Sequence, residues 1–380
     1  MTHKHLFTRA LSANPDRLHF AAHSHHLWPD ASFAGQVAAW EDAAHLADHK
    51  WAKIMGPVWS QAQAHVAREL GLPDPATIAF APSTHDFLVR IMSAMTERAS
   101  GAPLRVLATD GEFHSFRRQV ERWVEAGVVD LQTVPAAGLL SAAKAGGHEL
   151  IFASHVLFNS GTIIADLEAL AALAAPDGPW VVIDGYHGFM ALETDLSAIA
   201  DRIFYLSGGY KYAMAGEGVC FLHAPTGFAP RPVITGWYAA FDELADAQRG
   251  VGYAPDGRRF LGSTFDPSGV YRFNAVQAML LAEGLGTAAI SAHCAALQHQ
   301  FLDADPLPGL TLLNPLQAGP HARFLAFQGQ EAASIHAALE QRNIITDVRG
   351  DVLRIGFGLY QDAEDVARLV GALRSIAGKP

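Results

Sequence analysis

Three side chains in the middle of the sequence are of the types that imine chemistry requires. Asp184 ends the apolar run WVVID, and His187 follows it three residues later. Lys211 comes one apolar run further on, inside the glycine-rich segment SGGYKYAMAGEG. A desolvated lysine can attack an aldehyde as a free amine and then move protons, while a buried carboxylate can keep a heteroaromatic ring nitrogen protonated. Taken singly, this aspartate would be read as a helix cap and this lysine as a surface charge, so the prediction depends on their order and spacing.

Short apolar segments that alternate with amphipathic ones position these residues. Their lack of polar alternation is typical of strands buried on both faces of a parallel sheet. We expect strands at residues 104–108, 150–153, 180–184, 203–207 and 219–223. Helices are expected between them, for example over 115–126 and over 166–175 with Asp166 as the N-cap. Because ligands bind at the carboxyl ends of strands in such α/β sheets, Asp184 and Lys211 should face one crevice. Pyridoxal phosphate is the cofactor that needs both groups.

Length and composition limit the class of protein. The chain has 380 residues, 50% of them hydrophobic and 17% charged, which favours one large and one small domain with a substantial core. The formal net charge of −11 makes nucleic acid an unfavourable partner. Cys220 and Cys294 are the only cysteines, so no disulfide framework or cysteine-rich zinc site is expected. We find no signal peptide and no run of roughly 20 apolar residues, and therefore expect a soluble, cytoplasmic protein without a membrane partner.

The C-terminal third has its own pattern of elements. A loop-rich stretch runs from about residue 231 to 271, and a long Ala/Leu helix is expected over 270–285. The strand-like LRIGF and a helix over 363–376 follow, which indicates a small C-terminal α+β domain.

With these motifs in place, the sequence resembles the class V aminotransferase superfamily of pyridoxal-phosphate enzymes, most closely its kynureninase-like branch. The resemblance covers nearly the whole chain. It is carried by the segments DGYH (184–187), YKY (210–212), GW (236–237), ASHVLFNSG (153–161), DVR (347–349) and LRIGFGLY (353–360). It implies the pyridoxal-phosphate transferase fold, called fold type I, with a large domain around a mostly parallel seven-stranded sheet. It also implies domain limits at residues 1–20 for an N-terminal segment packing with the small domain, 21–270 for the cofactor domain, 271–290 for a connecting helix and 291–380 for the small domain.

The resemblance assigns roles to the residues of the two central motifs and of the C-terminal segment. Lys211 would carry the cofactor as an imine and act as general base, and Asp184 would bind the pyridine nitrogen and stabilise a quinonoid intermediate. His187 would tune the ring hydroxyl or Asp184, and Arg354 would receive the substrate carboxylate.

Further cofactor contacts follow from the same resemblance. The backbone N–H groups of Thr84 and His85 would meet the phosphate, as would the side chains of Tyr210 and Trp237. Either Phe113 or, in the alternative register, His114 would stack on the ring. Thr264 would reach the phosphate of a neighbouring subunit, which predicts a homodimer with its active sites at the interface.

Three positions depart from the resemblance. Phe116 replaces the kynureninase aspartate that would make one polar cofactor contact. Phe158 replaces the asparagine of desulfurase-like members, although kynureninases carry an aromatic residue there. No cysteine occupies the C-terminal region where cysteine desulfurases keep their nucleophile, since Cys294 falls too early, so sulfur transfer through a persulfide is disfavoured.

Four other polar residues have more than one interpretation. His23, His25 and His26 lie in the segment AAHSHHLWPD, where His25 and His26 would contact substrate or be ordinary loop histidines, and where a metal site is the least favoured reading. Arg272 is either a second carboxylate binder or, slightly favoured, part of an interface salt bridge.

The reaction predicted from these residues begins at the Cα of an L-amino acid. Family breadth favours a class V aminotransferase, whereas local motif similarity favours a kynureninase-like hydrolase or a carbon–sulfur lyase, because the cofactor supplies chemistry common to all of them. The rival from another class is a non-catalytic binding protein that kept the fold. Retention of Lys211, Asp184 and Arg354 argues against that rival.

Overall fold

The computed structural model describes residues 2–96, 101–243, 250–316 and 319–378, and a seven-stranded sheet forms its centre. The sheet order is β2-β8-β7-β6-β5-β3-β4. β8 alone runs in the opposite direction to the other six strands of this sheet, so the predicted α/β fold with a mostly parallel seven-stranded sheet is confirmed. The strands are β1 Leu18–His19, β2 Ile78–Ala81, β3 Leu104–Thr109, β4 Val129–Val134, β5 Leu150–Ser154, β6 Trp180–Asp184, β7 Ile203–Gly208, β8 Cys220–His223, β9 Thr311–Leu312, β10 Phe324–Gln328, β11 Ile344–Ile345, β12 Asp347–Arg349 and β13 Val352–Gly356.

Helices cover the central sheet and also pack in the C-terminal part of the chain. They are α1 Thr8–Ser12, α2 Asp30–Leu46, α3 Lys50–Lys53, α4 Trp59–Leu70, α5 Thr84–Thr96, α6 His114–Glu125, α7 Leu139–Ala145, α8 Leu167–Ala171, α9 Ser268–Ala282, α10 Thr287–Asp303, α11 Ala332–Glu340 and α12 Ala363–Ile376. The described helices include none that could cross a membrane alone; only α9 and α10 together meet the length and composition test, and they meet at a bend of 79°.

The five predicted strands match β3, β5, β6, β7 and β8 to within a residue or two, because each is buried along its whole length apart from one exposed residue in β3. The outer strands β2 and β4 were not predicted. β4 lies at the edge of the sheet with half of its residues exposed, and β2 is a four-residue segment, IAFA, with little β-branched character.

Two details of the predicted helices are wrong. The helix expected over 166–175 ends at Ala171, where i→i−3 bonds from Leu173 and Ala174 replace the helical pattern. Asp166 occupies the N-cap position but its side chain makes no capping hydrogen bond. By contrast, α12 spans the predicted residues and is fixed by a capping box between Asp362 and Asp365.

The C-terminal layer contains an antiparallel sheet in the order β12-β13-β10-β9. The N-terminal segment joins this layer, since β1 pairs in parallel with β11 and Ala21 bridges to Gly356. The domain limits themselves stay a prediction.

Candidate active site

The carboxyl ends of β5, β6 and β7 meet at one edge of the central sheet, and the candidate site is built there. Ser154 pairs with Asp184, and Asp184 pairs with Leu206, so the last residues of three strands lie side by side. The glycine-rich turn after β7 brings Lys211 back over this edge. The turn is tight: a Cβ on Gly209 would lie 2.7 Å from the Gly216 carbonyl oxygen and 2.5 Å from Val219 Cγ1, so only glycine fits.

Lys211 is buried and its amine lies within hydrogen-bond distance of His187. The Lys211 Nζ–His187 Nε2 distance is 2.8 Å. Burial lowers the pKa of Lys211 to about 7; the Arg354 charge also lowers it, while the Asp184 carboxylate opposes the shift. Burial, together with the Lys211 charge, holds the pKa of His187 well below its usual range. A neutral imidazole therefore lies beside an amine that loses its proton near neutral pH.

Asp184 is buried at the end of β6. Its Oδ1 accepts a hydrogen bond of 2.9 Å from the Tyr186 N–H. Burial raises the pKa of the Asp184 carboxyl, and the Tyr186 hydrogen bond and the Lys211 charge oppose the shift. Asp184 lines a cavity together with Thr84, Phe113 and Leu206.

Aromatic rings surround the Lys211 amine. Nζ lies 4.7 Å from the centroid of Tyr186, 5.7 Å from that of Tyr210 and 5.8 Å from that of Phe113. Phe113 directly precedes α6 and lines the cavity beside Asp184, whereas the His114 ring packs at 5.0 Å against Phe158. This placement favours Phe113 over His114 for stacking, and the assignment stays a prediction.

The start of α5 forms another wall of the same cavity. Thr84 is the first residue of this helix of 13 residues, and both Thr84 and His85 line the cavity. The N–H groups of the first helical turn have no partners within a helix, which suits them to an anion. Burial raises the pKa of the neighbouring Cys220 thiol to about 12. Thr84 and His85 therefore line the same cavity as Asp184, and their contact with phosphate stays a prediction.

Two other predicted cofactor residues lie at the surface of the single chain. Trp237 is 42% exposed and packs its ring at 4.2 Å against Tyr238. Thr264 is also exposed, in the loop before α9. Their assigned contacts with phosphate stay predictions, and the contact of Thr264 needs a second subunit.

Arg354 lies on β13 with its guanidinium buried between two rings. Its centre is 5.6 Å from the Phe158 centroid and 5.9 Å from the Phe324 centroid. It donates to the Phe158 carbonyl and to the Asp347 carboxylate. Asp347 also pairs with Arg349 at 2.8 Å, so one carboxylate balances two arginines. The local charge is positive by one unit, which an amino-acid carboxylate would neutralise.

The three histidines of the N-terminal segment have different surroundings. His23 is fully buried and stacks at 4.8 Å on Phe324; within the residues described, neither of its ring nitrogens has a hydrogen-bond partner. His25 is exposed and stacks at 4.8 Å on Tyr210. His26 is buried, and its Nδ1 bonds to the Leu27 carbonyl. A substrate contact by His25 or His26 stays a prediction, and the described residues contain no cluster of three metal-ligating side chains.

Arg272 fixes the turn that carries Lys211. It is buried, its Nε donates to the Ala215 carbonyl at 2.8 Å, and its Nη2 donates to the Glu217 carbonyl. Both carbonyls belong to the segment just after Lys211. In the single chain this arginine therefore binds backbone of the glycine-rich turn, a role that neither interpretation from the sequence had given it.

Three residues at the site were given no role of their own from the sequence. Asp347 was recognised only as part of a motif, and Glu112 and Tyr186 were not assigned any role. The one available indication for Glu112 is its position directly before Phe113 in EFHSF.

Together these groups fit an aldehyde cofactor that bears a pyridine nitrogen and a phosphate. A buried lysine with a lowered pKa can form the imine, a buried carboxylate can face the ring nitrogen, and a helix N-terminus can bind the phosphate. The buried Nδ1 of His187 lacks a partner in the described part of the chain, and so offers a further polar contact.

Comparison with known families finds one match, in the C-terminal third of the chain. Residues 289–373 match the family model of the kynureninase C-terminal domain. The matched region contains α11, most of α10 and α12, and the β13 strand that bears Arg354.

Whole-chain comparisons find enzymes that are similar in sequence or in fold. The chain is 28% identical to isopenicillin N epimerase from Streptomyces clavuligerus, over 88% of this chain and 89% of that protein. Its structure is similar to that of an apo cysteine desulfurase from Thermococcus onnurineus, with a TM-score of 0.80, 17% identity and 97% and 96% of the two chains covered. It is also similar to a cystine C–S lyase in complex with its product cysteine persulfide, with a TM-score of 0.80, 19% identity and 97% and 98% covered.

Proposed function

We propose that this chain is a pyridoxal-phosphate enzyme of the class V aminotransferase superfamily, which binds the cofactor through Lys211 and acts at the Cα of an L-amino acid. One observation carries the proposal. The buried Lys211 amine lies 2.8 Å from His187, at the sheet edge where Asp184 is buried and α5 begins.

The chain's own residues would bind the substrate and move its α-proton. When bound, pyridoxal phosphate supplies an electron sink that acidifies the substrate Cα–H bond. Arg354 would bind the substrate carboxylate, because Asp347 pairs with both Arg349 and Arg354 and its single negative charge cannot balance the two positive charges. Lys211 Nζ, whose pKa of about 7 leaves a substantial neutral fraction at neutral pH, would take the α-proton. Asp184 would hold the proton on the ring nitrogen, and His187 would orient Nζ.

Among the reactions that can follow, we favour elimination at a carbon–sulfur bond. Support comes from the structural similarity to a cystine C–S lyase and to a cysteine desulfurase. Persulfide transfer through an enzyme cysteine is disfavoured, because the chain's two cysteines are buried and burial raises the pKa values of Cys220 and Cys294 to about 12 and about 11. Elimination that releases sulfide or persulfide to solvent needs no such cysteine.

A second candidate is kynureninase-like hydrolysis. It is supported by the family match of the C-terminal region, which holds Arg354. Transamination at Cα, the reaction that gives the superfamily its label, is the third outcome that the same residues would serve.

A product assay on the loaded enzyme separates these reactions. The enzyme would be incubated with L-cystine, with L-kynurenine and with a panel of L-amino acids, and the products would be identified. Formation of pyruvate with sulfide or persulfide from L-cystine would support the lyase. Formation of anthranilate from L-kynurenine would instead identify a kynureninase-like hydrolase. A keto acid with aminated cofactor would identify an aminotransferase, and loss of optical activity alone would identify an epimerase. The same panel on Lys211→Ala should yield none of these products.

The predicted homodimer stays part of the proposal. If Thr264 serves the opposite subunit, sedimentation should show a dimer, and a variant that sediments as a monomer should bind pyridoxal phosphate more weakly. Equally tight binding by a monomer would refute the role of Thr264.

A further inference from the structure

Glu112 is a buried carboxylate at the candidate site that the proposed mechanism does not use. It lies between β3 and α6, directly before Phe113, and its side chain has no exposed surface. Its oxygens accept hydrogen bonds from Thr109 Oγ1 at 2.5 Å and from Ser154 Oγ at 2.6 Å, and from the Ser154 N–H at 3.0 and 3.2 Å. The carboxylate thus joins the ends of two neighbouring strands, β3 and β5.

Ser154, which donates to Glu112, lies next to Asp184 in the sheet. Ser154, which provides both a backbone and a side-chain donor, is the register partner of Asp184 on the adjacent strand. The next residue, His155, donates its N–H to the Asp184 carbonyl at 2.8 Å. On its other side, Glu112 is bonded through the chain to Phe113, the ring that lines the cavity. Glu112 is therefore linked through Ser154 to the strand end at Asp184, and through the backbone to Phe113, and both of these residues line the cavity.

The hydrogen bonds favour an ionised Glu112, whereas its surroundings oppose the charge. The Ser154 backbone N–H can only donate, so the Glu112 carboxylate must act as the acceptor of this hydrogen bond. Burial raises the pKa of Glu112 to about 7, and the Asp184 charge contributes to the shift. A cation placed against Asp184 would relieve this repulsion and favour both carboxylates in their charged forms.

We propose that Glu112 is a positioning residue that acts through Asp184: its carboxylate, held by Thr109 and Ser154, adds a second negative charge behind Asp184 and so favours the protonated ring nitrogen of the bound cofactor. The inference rests on the proposed function, since it needs a cofactor with a basic ring nitrogen. The competing possibility is a purely structural role, in which Glu112 only ties β3 to β5 and holds Phe113.

A cofactor analogue separates these two roles. The affinity of the apoenzyme is measured at pH 8 for pyridoxal phosphate and for its carbocyclic analogue, in which C–H replaces the ring nitrogen. An electrostatic effect of Glu112 acts only on the first compound, whereas a structural effect acts on both. We expect Glu112→Gln, which keeps the shape and an acceptor for the Ser154 N–H, to lower the preference for pyridoxal phosphate over the analogue about tenfold, as loss of one pKa unit of stabilisation would.

Two further variants control for folding and for charge. Glu112→Asp keeps the charge and should retain most of the preference. Glu149→Gln makes the same chemical change at the opposite end of β5, where Glu149 accepts a hydrogen bond from the Arg105 N–H at 3.0 Å, and should leave the preference unchanged.

The outcomes distinguish this inference from the proposed function. If Glu112→Gln weakens both compounds equally, or neither, the electrostatic role is refuted even though the enzyme binds its cofactor. If the wild-type apoenzyme binds neither compound, the proposed function is refuted and the role of Glu112 with it. A reduced preference in Glu112→Gln that is restored in Glu112→Asp supports the inference.

Discussion

The protonation of Lys211 provides a quantitative test of the site before any cofactor is added. An ordinary lysine has a pKa of 10.5, and burial lowers that of Lys211 to about 7. A pKa of about 7 raises the neutral fraction of the amine at pH 7 from about 1 in 3,000 to about half, a difference of roughly 5 kcal/mol. The amine is therefore ready to attack an aldehyde at neutral pH.

The chain is well suited to a direct titration by NMR because it has six lysines, at positions 4, 50, 53, 144, 211 and 379. With ¹³C-labelled lysine in the apoenzyme, each Cε resonance reports its own amine. Lys211→Arg assigns the resonance of interest by removing it. We expect that resonance to titrate near pH 7.

Two substitutions fix the sign of the effect. Asp184 raises the pKa of Lys211 and Arg354 lowers it, so Asp184→Asn should shift the midpoint down and Arg354→Gln should shift it up. A Lys211 midpoint above pH 9 in the wild type, or shifts of the opposite sign, would refute the account of a desolvated amine.

Three further predictions concern the surroundings of the site. Asp347→Asn leaves Arg354 and its neighbouring arginine without their shared carboxylate, and should lower the free energy of unfolding in urea by about 3 kcal/mol, whereas Asp351→Asn at the surface should change it little. Arg272→Leu removes the donors to the turn after Lys211 and should weaken binding of pyridoxal phosphate about tenfold in an equilibrium titration, and an unchanged Kd would contradict the role of that arginine. Burial lowers the pKa of His155 from 6.5 to about 4, so the neutral ring stabilises the fold above pH 6.5 and this stabilisation is lost as the pH falls toward 4. In His155→Phe the free energy of unfolding should therefore fall by about 3 kcal/mol less than in the wild type over that pH range. An equal fall in the two proteins would refute this role of His155.

The sequence predicted the elements whose signal is local. A strand such as β6 is a continuous apolar run ended by a polar residue, and α12 begins with a capping sequence, so both could be located to within a residue. The edge strand β4 escaped prediction because half of its residues face solvent. The order of Asp184, Lys211 and Arg354 along the chain indicated a shared site because each follows or lies in a recognisable strand.

The contacts between distant segments could not be predicted in the same way. His23 meets Phe324 across 301 positions of sequence, and Arg354 meets the Phe158 carbonyl across 196. Such pairs depend on the register of strands from different layers, which no local pattern determines. Glu112 is a further case, because its partner Ser154 lies 42 residues away and becomes its neighbour only when β3 and β5 pair.

Chemical trapping of the cofactor tests the central claim most directly. The protein is purified in the presence of pyridoxal phosphate, reduced with borohydride, digested and mapped by mass spectrometry, with Lys211→Arg treated in parallel. We predict the mass of a reduced pyridoxyl-phosphate adduct on the peptide that contains Lys211, and no such adduct in the variant. An adduct on another lysine, or none on the wild-type protein, would contradict the assignment of Lys211.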